Sequence, residues 1–508
     1  MIRIFTDKKE KDLKNFWNHI VFHPTDAIED DWGKRILDKC AEDKAVKTVR
    51  IYTMMEDIFT LDENGEMHAD YTLNDYRIDY LLSKGFTPFL AYAFLPAWLC
   101  ENTELRSSVA KSKLRYKGKI VYNTRATDYS KWEEICRQYT QHIVDRYGEE
   151  TVAKWRIHCY NEPDLPGFFY MDAPSNEARC AEYCKMYDAF ERGILSVSDK
   201  LFFGGPALAQ SNGNFEFLRL FLDYVKKNNR RIDFISIHSY GTHPSCMNKE
   251  TKPLGISGAL KNTMTLVNIA KMCGFGDKPI YCDEWGAATC GFYNMEECPP
   301  FIFRENELYS AYFAKMLIHF DEINIPCEEM MLCLSGQHEM KTDFSGFRNF
   351  FTLNFYPKPI YNAYVLAGKL GSEKLFHISD LTSGNITDEH FSVMPTKHSD
   401  GHISTLICYA DGEFRINLPA AETEVKFENI DKAYNVVRYV IDKNNANAIT
   451  KYNELGCPDN PTDAQKKEIS DFASLKPENI GNISPENNSV SFTMEQNAVV
   501  LLELFPID

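Results

Sequence analysis

The stretch YSKWEEICRQYTQHIVDRYGEETVAKWRIHCYNEP, residues 129–163, contains the repeating unit of the fold. Its first part has the apolar spacing of a helix, and AKWRIHCYN at 153–161 is typical of a short buried strand. Similar runs recur along the chain to about residue 370. The other seven are FWNHIVF at 16–22, AVKTVRIYT at 45–53, GFTPFLAYAF at 85–94, KLFFGG at 200–205, RIDFISIHSY at 231–240, KPIYCDEWG at 278–286 and CEEMMLCLS at 327–335.

Eight strands alternating with helices predict a parallel (β/α)8 TIM barrel, because that number of β/α units closes a barrel. An open doubly wound sheet is the rival fold. It calls for a glycine-rich phosphate turn after the first strand, and HPTDAIEDDW at 23–32 contains no glycine. We therefore favour the barrel and assign it residues 1–370.

The pattern changes after residue 371. Short alternating strands separated by polar turns predict a C-terminal antiparallel β-sandwich over 371–508. The first twelve or so residues of the chain are candidates for pairing with this sandwich. A long polar insertion with a helical tail occupies 443–473.

Composition and charge restrict the class of protein. The net charge of −17 opposes binding to nucleic acid and to anionic membranes. The fifteen cysteines include no Cys-x-x-Cys pair, so we interpret them as buried apolar residues in a reducing compartment, predict no metal and expect a cytoplasmic protein. The N-terminus is too charged for a signal peptide, although a removed export signal is an alternative.

Two of the predicted strands end in a glutamate. The fourth closes with Asn161 and Glu162, and the seventh closes with Glu284. Catalytic groups of barrel enzymes lie at the carboxyl ends of the strands, and two carboxylates in one pocket are what retaining glycoside hydrolysis requires. Aromatic neighbours favour a protonated Glu162. His238 and Tyr240, which close the sixth strand, are donors that can keep Glu284 ionised.

The sequence also resembles glycoside hydrolase family 39, the family of β-xylosidases and α-L-iduronidases. The likeness covers almost the whole chain. Its motifs are KTVRIYTMMED, YLLSKGFTPFLAYAFLPAWL, YGEETVAKWRIHCYNEPDLPGFF, FFGGPALA, RIDFISIHSYGTHP, KPIYCDEWG and GFRNFFTLNFYPKPIYNAYVLAGKLG, followed by NNANAITKYNELGCPDNPT and the NAVVLLEL strand.

That resemblance implies roles for the motif residues. Glu162 would be the general acid/base, Glu284 the nucleophile, and Asn161 the partner of the sugar's 2-hydroxyl. His238 and Tyr240 match the family's pair near the nucleophile. The resemblance implies a glycan substrate and no cofactor, and we expect exo action on short saccharides or the ends of plant-type glycans. A homo-oligomer is compatible with it.

Several positions depart from the family pattern and affect the expected sugar subsite. Tyr52 follows Arg50 and Ile51 where the family usually has histidine, and Glu56 replaces a further histidine beside the retained Asp57. The eighth strand has no tryptophan, and Tyr160 stands where one usually precedes the Asn-Glu pair. Candidate substrate contacts beyond the motif residues are Arg50, Tyr52, Asp57, Phe169 and Trp285. These changes leave the glycone open, and the charge of −17 weakly favours a neutral sugar over a uronic acid.

Two hypotheses from other classes remain. One is a glycan-binding protein that has kept the fold and lost turnover. The other is a barrel metalloenzyme built on His238, His243 and Asp283, which has little support because a regular strand would point Asp283 away from the face that carries Glu284.

Overall fold

The computed structural model describes residues 1–22, 28–108, 120–209, 215–242, 255–289, 293–336, 340–379 and 390–507. In chain order, its strands are β1 (Ile2–Asp12), β2 (His19–Phe22), β3 (Thr48–Tyr52), β4 (Phe59–Leu61), β5 (Met67–Ala69), β6 (Thr87–Tyr92), β7 (Arg106–Ser108), β8 (Ile120–Tyr122), β9 (Arg156–Cys159), β10 (Phe203–Leu208), β11 (Phe234–Thr242), β12 (Ile280–Ala288), β13 (Cys327–Leu334), β14 (Glu373–Ser379), β15 (Phe391–Lys397), β16 (Ile403–Tyr409), β17 (Ala421–Glu428), β18 (Tyr434–Ile441), β19 (Glu478–Ile483), β20 (Ser489–Met494) and β21 (Ala498–Pro506).

Its helices, again in chain order, are α1 (Asp31–Glu42), α2 (Met55–Ile58), α3 (Thr72–Ser83), α4 (Tyr129–Tyr147), α5 (Glu149–Val152), α6 (Asn176–Leu195), α7 (Glu216–Lys227), α8 (Ile256–Cys273), α9 (Glu307–Glu322), α10 (Pro359–Ala367), α11 (Ala448–Glu454) and α12 (Asp463–Ala473). None of the described helices is long and apolar enough to cross a membrane.

Eight strands close into a parallel barrel in the order β2, β3, β6, β9, β10, β11, β12 and β13, with β13 pairing back onto β2. Each overlaps one of the eight predicted runs, so the predicted TIM barrel is confirmed and the doubly wound sheet is wrong. The small pairs β4–β5 and β7–β8 lie in the loops that follow the second and third barrel strands.

The helix α4 shows how local sequence builds the repeating unit. The Asp128 side chain accepts a hydrogen bond from the Ser130 N–H at the N-terminus of α4, and Gly148 ends the helix with a φ of 84°. A residue without a Cβ is favoured at such a φ. The buried side chains recur at helical spacing and form one stripe against the barrel. They are Trp132, Ile135, Cys136, Tyr139, Thr140 and Ile143.

The C-terminal strands form a nine-stranded sheet in the order β19-β18-β21-β16-β15-β14-β1-β17-β20. The pairs are antiparallel, as predicted, except that β1 runs parallel to β17. The first strand of the chain is therefore an internal strand of this sheet, between β14 and β17.

Buried polar contacts join the barrel to this sheet through α9. Lys315 donates to Ser392 Oγ at 3.0 Å, and Lys374 donates to Asp321 at 2.7 Å. The predicted insertion contains α11 and α12, and Asn362 of α10 fixes it by donating to the carbonyls of residues 446 and 473. The described cysteines are free thiols, and all except Cys457 are buried.

Candidate active site

The chain turns sharply where the fourth barrel strand, β9, ends. Tyr160 and Glu162 both have left-handed backbone angles, with φ of 63° and 48°. Such angles cost a non-glycine residue about 1–2 kcal/mol each. Hydrogen bonds hold the turn, because Tyr160 N–H donates to the Tyr92 carbonyl and Glu162 N–H donates to the Ala207 carbonyl, both at 3.0 Å. This turn brings the Glu162 carboxylate to the sixth-strand histidine.

The Glu284 carboxylate, from the seventh barrel strand, β12, accepts three hydrogen bonds. Arg50 Nη1 lies 2.7 Å and the Tyr52 hydroxyl 2.6 Å from Oε1, and the Tyr240 hydroxyl lies 2.6 Å from Oε2. Burial alone would raise the pKa of Glu284, but the charges of His238 and Arg50 and the two tyrosine hydroxyls outweigh it and hold that pKa below its usual range. The geometry keeps this carboxylate ionised.

Glu162 has a different partner. His238 Nδ1 lies 2.9 Å from Glu162 Oε1 and 3.7 Å from Glu284 Oε2. Burial lowers the pKa of His238, but the carboxylates of Glu284, Asp283 and Glu162 raise it to a net value of about 9. The imidazole is therefore charged at neutral pH and stands between the two glutamates.

The two carboxylates are close together. One oxygen of each glutamate and one nitrogen of His238 all lie within 4.8 Å of one another. Three such atoms are close enough to hold a cation, but a metal ligand must be deprotonated and the raised pKa of His238 opposes this. A charged imidazole between two carboxylates is instead suited to holding and moving a proton.

Arg50 organises the floor of the site. Its Nη2 donates to Asn161 Oδ1 at 2.7 Å, and its Nε donates to His158 Nε2 at 3.1 Å. The Asn161 oxygen also accepts from the Tyr52 hydroxyl at 3.2 Å, so the guanidinium and the phenol together fix this amide. The side chain of Arg50 is fully buried, so its charge acts in a medium of low dielectric.

The expectation that Asp283 points away from the site was wrong. The pairing of β11 with β12 shifts from Ile237–Cys282 to His238–Glu284, which leaves Asp283 as an extra residue in a bulge. A bulge re-aims a side chain. Asp283 Oδ1 therefore lies 3.7 Å from His238 Nε2, inside the barrel. His243, the other residue of the metal hypothesis, lies outside the described residues.

Two of the predicted substrate contacts are packed inside the protein. Trp285 is fully buried outside the barrel wall, where its Nε1 donates to the Tyr364 hydroxyl at 3.2 Å, because it follows the inward-facing Glu284 on the same strand. Phe169 is also fully buried, and its ring packs edge-on against Tyr160. Neither presents a face to a sugar. Asp57 lies exposed on α2.

Two residues that contact the side chains of the site were not predicted from the sequence. His158, a polar residue within a buried strand, accepts from Arg50 and could have been found by that anomaly. Arg348 lies in the segment after β13, and its guanidinium is 5.0 Å from the centre of the Tyr240 ring. No motif around Arg348 indicated its position.

A closed parallel barrel with paired carboxylates, one just after its fourth strand and one within its seventh, has the layout of a glycosidase. The sequence model of Glycosyl hydrolases family 39 matches residues 1–485. The chain therefore belongs to glycosyl hydrolase family 39. It is a glycosidase with a glycan substrate.

Known relatives align along most of the chain. A β-xylosidase of Caldicellulosiruptor saccharolyticus is 24% identical over 506 residues, covering 97% of this chain and 95% of that protein. A β-xylosidase of Geobacillus stearothermophilus is 23% identical over 468 residues, covering 87% and 82%. The crystal structure of a monomeric β-xylosidase from Caulobacter crescentus CB15 superposes with a TM-score of 0.81 at 19% identity, covering 100% of this chain and 99% of that one. This structural likeness concerns the fold.

Proposed function

We propose that the protein is a retaining, exo-acting glycosidase that removes a neutral glycosyl residue, of the β-xyloside type or another plant-type glycone. The observation that carries the proposal is the pair of unequal carboxylates. Oxygens of Glu162 and Glu284 lie within 4.8 Å, which agrees with the roughly 5–5.5 Å between carboxyl groups of retaining enzymes and not with the wider spacing of inverting ones.

The two environments support different roles. Glu284, ionised and held at both oxygens, attacks the anomeric carbon and forms a glycosyl-enzyme intermediate. Glu162, bound to a proton-carrying histidine, protonates the leaving oxygen and then, as a base, activates the water that releases the sugar. Asn161 donates its amide N–H to the sugar's 2-hydroxyl. This proposal requires no cofactor.

The glycone is inferred from the relatives and the charge. The curated relatives are named β-xylosidases, which supports exo action on a pentoside, and the net charge of −17 favours a neutral sugar. Tyr52, bonded to Glu284, stands where the family usually has histidine, so we expect the subsite to differ from that of a typical β-xylosidase.

The experiment is a screen of the wild-type protein against nitrophenyl glycosides and natural oligosaccharides. We expect Glu284→Gly to abolish turnover, and azide to restore cleavage of an activated aryl substrate by Glu162→Ala. Glu329→Gln, at the other end of the barrel, is the matched control. Full activity of a Glu284→Gly protein free of wild type would overturn the proposal.

Two alternatives have distinct outcomes in the same screen. A glycan-binding protein without activity would bind an oligosaccharide and hydrolyse none of the panel. A member that acts on a uronic acid would prefer aryl uronides, and the buried cation Arg348 beside Tyr240 is the observation that favours it. Preference for an aryl hexoside would identify a hexose glycone.

A further inference from the structure

The barrel interior holds a third buried carboxylate that the double-displacement mechanism does not use. Asp283 is fully buried and directly precedes the nucleophile. The bulge in β12 turns its side chain inward with that of Glu284. A buried carboxylate costs free energy unless it is paired. An apolar side chain would pack in this strand without that cost, so the presence of an acid at position 283 indicates a role for its charge.

Asp283 faces basic groups from three strands. Its Oδ2 lies 3.3 Å from Arg50 Nε on β3 and 3.6 Å from His158 Nε2 on β9. Its Oδ1 lies 3.7 Å from His238 Nε2 on β11. Neither oxygen has a hydrogen-bond partner in the described part of the chain. Asp283 therefore acts through its charge, and the other acids near it or near His238 are Glu284, Glu162 and Asp164.

His238 connects this carboxylate to the acid/base. One ring nitrogen is directed at Asp283, and the other lies 2.9 Å from Glu162 Oε1. We propose that Asp283 is a positioning residue for the acid/base: its negative charge favours the imidazolium form of His238, and this ring holds the proton that Glu162 delivers to the leaving group. This inference rests on the retaining function proposed above and adds a residue to it.

The expected consequence is a shift in pH dependence. The imidazolium of His238 lies 2.9 Å from Glu162 Oε1 and is the source of the proton that the acid/base delivers, so we expect the basic limb to follow loss of the imidazolium proton. Burial raises the pKa of Asp283 to about 6 against the lowering charges of Arg50 and His238, so Asp283 is ionised above that pH and favours the imidazolium. Removing the charge of Asp283 lets His238 lose its proton at lower pH. His158, whose pKa is lowered by burial and by Arg50, does not replace that charge.

The test compares Asp283→Asn with wild type on two substrates of the preferred glycone. A phenyl glycoside needs protonation of its leaving group, and a 2,4-dinitrophenyl glycoside does not. We expect the basic limb of kcat/KM for the phenyl glycoside to move down by about one pH unit in Asp283→Asn. At a pH above both limbs this shift corresponds to a loss of about tenfold with the phenyl glycoside, and we expect little loss with the dinitrophenyl glycoside. Glu329→Gln should leave both profiles in place.

An unmoved basic limb in a folded Asp283→Asn protein would overturn the inference, and so would equal losses on both substrates. If that variant does not fold, the protonation state of His238 is measured instead. Nuclear magnetic resonance of wild-type protein labelled at histidine gives it, and His238→Asn assigns the signal. We expect an imidazolium at pH 7, and a neutral His238 ring would overturn the inference. Failure of the retaining function would show separately, as a Glu162→Ala enzyme that does not distinguish the two leaving groups.

Discussion

Arg50 Nη1 donates to Glu284 Oε1 at 2.7 Å, across the barrel from the second strand to the seventh. Both side chains are buried, so neither charge is stabilised by bulk water if the other is removed. The same guanidinium binds Asn161 through its other terminal nitrogen. One side chain thus sets the position of the nucleophile relative to the amide that is expected to bind the sugar.

We expect Arg50→Lys to lower kcat/KM on an aryl glycoside by about 100-fold or more, because an ammonium cannot bond Glu284 and Asn161 as a planar fork does. Steady-state kinetics measure this. Arg156→Lys, a similar change at the opposite end of the barrel, should stay within about twofold of wild type. Wild-type kinetics in Arg50→Lys would contradict the role of the fork.

Tyr240→Phe removes the 2.6 Å hydrogen bond to Glu284 Oε2. Because that bond favours the ionised nucleophile, its loss raises the pKa of Glu284. We expect kcat/KM to fall by about 10- to 100-fold and the acidic limb of its pH profile to move to higher pH. Tyr187→Phe, which removes another buried tyrosine hydroxyl bond, is the control. A shift of the acidic limb in the opposite direction would count against this account.

A stability prediction concerns Glu329, at the other end of the barrel. Burial, opposed by Arg156 and Thr48, raises its pKa to about 7. An acid with a raised pKa stabilises the fold fully below its unfolded value near 4.5, and this contribution is lost as the pH rises through 7.

Glu329→Gln should therefore gain roughly 1–3 kcal/mol relative to wild type between pH 5 and pH 8. The midpoint of thermal unfolding at both pH values measures it. Glu328→Gln, the partly exposed neighbour paired with Lys14, should change by less than about 0.5 kcal/mol. A gain of Glu329→Gln that is larger at pH 5 would refute the assignment.

Trp285→Phe tests whether the tryptophan beside the nucleophile contacts substrate. Its indole stacks on Phe313 at 5.6 Å and bonds the Tyr364 hydroxyl, outside the barrel wall. We expect a lower midpoint of thermal unfolding, from a loss of about 1 kcal/mol, with KM within about twofold of wild type. Tyr52→Phe, which removes a bond to Glu284, should show the reverse pattern. A large rise of KM in Trp285→Phe alone would place the indole in the subsite.

The sequence predicted the barrel because its strands are short β-branched or aromatic runs at regular intervals, and it predicted Glu162 and Glu284 because both follow such runs. Trp285 could have been excluded by strand alternation alone. Asp283 could not have been located, since a bulge depends on the pairing of β12 with β11 and leaves no mark on the local pattern. The position of Arg348 depends on the path of a long connection, which periodicity does not describe.

The place of β1 in the second sheet has a consequence for the order in which the chain is made. Ile2 pairs with Ser379 and with Val425, so its partners leave the ribosome roughly 20–80 s later at ordinary rates of synthesis. Until then Ile2 and Ile4, which are fully buried in the finished protein, have no sheet to join. The barrel strands are therefore synthesised while the apolar side chains of β1 are still exposed to solvent. In a fragment that stops at residue 370, β1 would lack its partner strands and these side chains would remain exposed.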